Sequence, residues 1–113
     1  MDNQKQIEYW QKGASLDFQT ANDIFESGKN LHFCLYMCHL SIEKLLKAVI
    51  VKVTGEFPPK SHNLLRLAEL AKLMLDEDLI KFYEELNQFQ LSDIQMKSLL
   101  CTLSLQRNLL ERN

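Results

Sequence analysis

His39, Glu43 and Lys47 are the first residues of this chain whose types and spacing could do chemistry. They fall at i, i+4 and i+8 within CHLSIEKLLKAVIVKV, residues 38 to 53. On a helix that spacing stacks them along one side. An imidazole, a carboxylate and an ammonium in a column can bind a phosphate or a polar partner surface. Glu43 and Lys47 also stand in the favourable Glu-before-Lys order, worth about 0.2–0.5 kcal/mol as a surface pair. The stretch is the most apolar part of the chain, so Glu43, Lys44, Lys47 and Lys52 interrupt a hydrophobic run. With Ile42, Leu45, Leu46, Val49 and Val53 facing inward, Glu43, Lys44 and Lys47 are expected outward or on the flank. Two readings stay open, a solvated helix face or a site. For His39 the alternative is an imidazole half buried between helices with one satisfied hydrogen bond.

A second constellation is PPKSHNL, residues 58 to 64. Lys60 and His62 stand beside an expected helix start, where unpaired N–H groups and the helix dipole favour anions. One reading is a small phosphate pocket. The other is that Ser61 caps the helix and Lys60 is solvated, since Ser61, His62 and Asn63 all suit a cap region. HFCLYMCH, residues 32 to 39, invites a metal reading through Cys34, Cys38, His32 and His39. A structural zinc needs four convergent ligands, which one helix face does not offer. The two cysteines are expected to pack as small apolar residues. No metal, resident cofactor or catalytic nucleophile is expected, because nothing in the sequence identifies an activating base or an oxyanion site.

The elements that must hold these residues are helices. Ile7, Trp10, Ala14, Phe18, Ala21 and Phe25 recur at spacings of three and four, so residues 4–27 read as one helix, ended by Gly28. Leu35, Cys38, Ile42, Leu45, Leu46, Val49 and Val53 give a second over 30–54, ended by Gly55. The adjacent Pro58 and Pro59 forbid helix in GEFPPKSHN. A third, shorter helix opens at Ser61 or His62, with Leu64, Leu67, Leu70 and Ala71 inward. Asp76 or Asp78 caps a fourth through Asn87. A fifth over 92–110 carries Leu99, Leu100, Leu103 and Leu110. The sum is an all-α, up-and-down antiparallel bundle of about five helices with the two long N-terminal helices as its spine.

The 113 residues suit a single domain with one core. Three glycines and two prolines leave little room for a turn-rich β fold. A net charge of −2 argues against a general basic coat for duplex DNA, though a local basic patch is compatible with it. The polar MDNQKQIEYWQK start lacks the apolar core of an export signal, and Lys47 breaks the longest apolar run well short of the ~20 residues a membrane span needs. Three cysteines without zinc-ribbon spacing fit a reduced, cytoplasmic setting.

The YW pair at Tyr9 and Trp10 with Ala14, Asp17 and Ala21, then CHLSIEKLLKA, then PPKSHNLLRL, occur in an order and spacing that resemble the HEPN domain. The resemblance runs from Tyr9 to Ala71 and more weakly to Asn87. It implies a helical bundle that dimerises. It also implies a prokaryotic partner, a small nucleotidyltransferase often encoded next door, in pairs that resemble toxin–antitoxin systems. The residues it carries over as a nucleotide- or partner-binding surface are Glu43, Lys44 and Lys47, with Lys60 and His62; His39 joins them by spacing. ATP, another nucleotide or RNA are the ligands it suggests. Some relatives are metal-independent ribonucleases that use an arginine, four to six residues, then a histidine. Here the arginines are Arg66, Arg107 and Arg112 and the last histidine is His62, so that element is absent; a binding module is expected, with a ribonuclease toxin that uses His62 or His39 and a lysine as the alternative.

Past Leu91 the resemblance stops, and the tail from Ser92 turns rich in Leu and Ser. Codons for Ser92 to Lys97 can be chosen so that the frame two bases on reads Arg-Tyr-Pro-Asp-Glu, similar to a segment the family places there. Met96 and Lys97 force the glutamate. The expectation is a frameshifted tail that lacks the Arg and Tyr the family sets beside the IEKLLKA surface.

Overall fold

A computed structural model describes residues 2–88 of the chain. These residues form four helices, α1 (Asn3–Ser27), α2 (Leu31–Thr54), α3 (Leu64–Leu70) and α4 (Glu77–Gln88). The fifth helix expected over 92–110 and the reading of the tail lie outside the described residues.

Local chemistry sets the ends of these helices. Asp2 caps α1 by accepting from the Lys5 N–H at 2.8 Å. Gly28 and Gly55 close α1 and α2 in the left-handed conformation, φ 70° and 73°, as their positions predict. Asn30, at φ 55°, is one of the few non-glycine types that tolerate this region, and its carbonyl accepts from the Phe33 and Cys34 N–H groups of α2. Asn63, one to two residues past the expected start, caps α3 through the Leu65 and Arg66 N–H groups. Asp76 does the same for α4 through Leu79.

α1 and α2 run antiparallel in a fixed register. Ser41 Oγ donates to the Ala14 carbonyl at 2.9 Å, and Cys34 Sγ to the Ala21 carbonyl at 3.2 Å. Seven residues down one helix match seven up the other. Small residues allow this approach: Ala14, Ala21, Ser41, Cys34 and Cys38 are all buried. The larger members of the α1 stripe, Ile7, Trp10, Phe18 and Phe25, are half-buried along its edges. α3 and α4 close the core from the other side of α2, placing Leu64, Leu67, Tyr83 and Leu86 against Leu35, Ile42 and Leu46. Val53 departs from the expected stripe. It lies one turn past Val49 in the last turn of α2 and is 43% exposed.

Glu43 and Lys47 require a larger correction. They do not stand on a solvated outer face; they are 4% and 6% exposed. The α2 stripe is wider than the spacing of its apolar residues suggests, because α1 covers one flank and the 55–63 loop the other.

Candidate functional site

Glu43 is the centre of a polar cluster inside this cover. Its Oε2 lies 3.1 Å from Lys47 Nζ, one turn on, and its Oε1 lies 2.9 Å from Nδ1 of His62. His39 Nδ1 is 3.7 Å from the same Oε1, too far for a hydrogen bond. The Lys47 ammonium also sits 5.2 Å from the centre of the Trp10 ring of α1, within cation–π range. Both charges of the pair are therefore desolvated and satisfied by each other, by an imidazole and by an aromatic face.

The loop after Gly55 brings His62 here. Glu43 to Thr54 is about 16 Å of helix at 1.5 Å per residue, and the chain retraces that length, with Pro58 and Pro59 half-buried, before α3 begins. His62 thus meets α2 near its middle, not at its end. His62 bonds Glu43 while its side chain stays 80% exposed. A carboxylate can only accept, so His62 Nδ1 carries the proton in this bond.

Asn87 of α4 ties the cluster to the other elements. Its Oδ1 accepts from the Leu64 N–H at 3.1 Å and its Nδ2 donates to Asn63 Oδ1 at 3.1 Å. Asn63 Oδ1 already accepts two backbone N–H groups, so it acts as an acceptor, and the Asn87 amide is held in one orientation. His39 Nε2, 3.3 Å from Asn87 Oδ1, must then be a donor. Burial pushes the His39 pKa down. The nearby Glu43 carboxylate and the bonds to Asn87 and to the His62 backbone oppose that without reversing it.

Lys44 turns to the α1 side, where its Nζ reaches Asp17 Oδ2 at 2.7 Å. Gly13 makes the path: a Cβ there would stand 3.0 Å from Lys44 Cδ. Tyr9, Lys12 and Leu16 join Gly13 and Lys44 around an open cleft of about 200 Å³. Cys34 and Cys38 are buried neighbours, and the hydrogen bond to Cys34, together with burial, pushes the Cys38 thiol up. Among the described residues no group of three or more His, Cys, Asp or Glu could hold a metal ion.

Of the residues singled out by spacing, His39, Glu43, Lys47 and His62 come together. Lys44 is drawn away from them to Asp17 of α1, and Lys60 is exposed two residues before His62. Asn63 takes the cap role its type suits; sequence reasoning missed Asn87 and the contact with Trp10.

A family model described as HEPN domain matches residues 7–93, the greater part of the chain. The chain belongs to the HEPN family. No curated protein and no solved structure matches it. The HEPN match contains α2, α3 and α4 in full and all six residues of the two constellations. The Glu43 cluster is therefore internal to the HEPN bundle of this chain, joining α2 to α4 and to the loop before α3. No described helix is long and apolar enough to cross a membrane.

Proposed function

We propose that this HEPN protein is a cytoplasmic binding module, a homodimeric subunit that docks a nucleotidyltransferase encoded nearby in a toxin–antitoxin-like pair. Its nucleotide- or RNA-phosphate contacts come from the solvent-facing cations at its surface. The observation that carries this reading is the division of the charges. Glu43 compensates Lys47 in the interior, and the same carboxylate holds His62 at the surface beside the exposed Lys60. The exposed Lys60 ammonium suits docking of an anionic surface or phosphate, with the His62 ring held beside it by Glu43. Lys44, at the mouth of the cleft with Tyr9 and Lys12, offers a second contact. Exposed Tyr9 and Leu16, two turns apart on α1 at 64% and 56%, and the stacked Phe33 and Tyr36 on α2 supply apolar area for a dimer near the α1–α2 hairpin.

The test is co-elution of the purified chain with the product of its neighbouring gene, with ATP and RNA binding measured alongside. A complex, or nucleotide binding weakened by Lys44→Ala, Lys60→Ala or His62→Ala, supports the reading. Absence of all of these overturns it. A metal-independent ribonuclease is the second reading, favoured only by the orientation of His62. The missing arginine–histidine element opposes it, and RNA left uncleaved equally by the wild type and His62→Ala would remove it.

A further inference from the structure

The bond from His62 to Glu43 fixes more than the place of the ring. Neutral imidazole has one N–H and one lone pair. With the proton on Nδ1 and directed at Glu43 Oε1, the lone pair is on Nε2, and the exposure of the side chain leaves that edge in solvent. The backbone that carries the ring is held on both sides. Pro58 and Pro59 stiffen the approach, and Asn63 and Asn87 anchor the following turn. A buried carboxylate orienting an imidazole whose other nitrogen faces outward is the arrangement that prepares an imidazole to attack an electrophile. A loop clasp alone would not require the ring to be left in solvent. His39, on the other side of the same oxygen, is buried and its Nε2 is occupied by Asn87, so His62 is the member of the cluster with an accessible nucleophile.

We propose that His62 Nε2 is a phosphoryl-acceptor site, taking a PO3 group from a small donor of the phosphoramidate class. The step balances without an added acid or base. The Nε2 lone pair forms the new N–P bond, the P–N bond of the donor breaks, and the donor nitrogen, already protonated, leaves as ammonia. The ring becomes an N-phosphorylated imidazolium that keeps its Nδ1 proton. Glu43 is in place to receive that N–H and to balance the new positive charge. The product adds about −1.5 to −2 charges at the surface, beside Lys60, and so reverses the sign of the patch that the docking reading uses. The acceptor chemistry itself does not depend on that reading.

Two measurements on the full chain test it. In the first, long-range proton–nitrogen correlation of the unmodified protein reads the tautomer. His62 is expected as the Nδ1–H form, and an Nε2–H form overturns the proposal. In the second, the protein is treated with potassium phosphoramidate, and phosphohistidine is followed by phosphorus resonance and peptide mapping, with exposed His32 as the internal reference. His62 is expected to react at Nε2 faster than His32, and Glu43→Gln to slow it by roughly 10-fold or more, the factor that corresponds to one hydrogen bond to a charged group. Reaction of His62 no faster than His32 overturns the proposal whatever the variant does.

Discussion

His62 Nδ1 lies 2.9 Å from Glu43 Oε1, across 19 residues of sequence and between a loop and the middle of a helix. This bond joins the two constellations that spacing alone leaves separate. It places one residue of the cluster in solvent while the other is among the most buried charges of the fold.

The Glu43–Lys47 pair should behave as a buried ion pair. Glu43→Leu alone leaves an ammonium without its carboxylate and is expected to lower stability by about 3–5 kcal/mol. Glu43→Leu with Lys47→Met should recover most of that loss, because the desolvation of both charges disappears together. Urea unfolding followed by helical circular dichroism measures both. A double variant as unstable as the single one would show that the two charges are not coupled.

Stability should fall on the acid side through His39. Burial favours its neutral form in the folded state, so below the ordinary histidine pKa of about 6.5 the unfolded chain binds a proton that the folded one resists. Unfolded protons exceed folded ones, and stability therefore rises with pH in that window. It is fully present above about 6.5 and is lost as pH falls toward the lower folded value. His39→Gln, which retains a donor for Asn87 Oδ1, should flatten the slope measured between the wild type and the variant. Equal slopes would contradict the assignment.

Asn87 should matter more than an ordinary residue near a helix end. Asn87→Ala removes the acceptor for the Leu64 N–H and for His39, and the donor to Asn63. A loss of about 1–3 kcal/mol is expected from the groups left unsatisfied. The His39 and His62 ring resonances should shift with it. Unchanged histidine spectra would mean that Asn87 does not organise the cluster.

The helices were legible because their signals are local: apolar spacing of three and four, and glycines or Asn and Asp at the ends. The column of His39, Glu43 and Lys47 was legible for the same reason. Its burial was not. Whether a flank position of α2 meets water depends on Trp10 from α1 and on a loop that doubles back, and neither is encoded in the spacing of α2 itself. Asn87 was illegible because its partners belong to α2 and to the start of α3. An asparagine four residues past Tyr83 carries no mark of that.

The tail makes a prediction at the level of the gene. If a frameshift replaced the original ending, the codons for Ser92 to Lys97 read Arg-Tyr-Pro-Asp-Glu two bases on. Nucleotide sequencing decides it, and codons that spell anything else there end the idea.

The most direct test of the binding account is titration calorimetry of the full chain against the nucleotidyltransferase encoded beside it. The account predicts a saturable complex that Lys60→Glu with His62→Glu weakens by at least roughly tenfold, about 1.4 kcal/mol, while the variant keeps its helical signal. No complex with the wild type, or a complex indifferent to both substitutions, would contradict it.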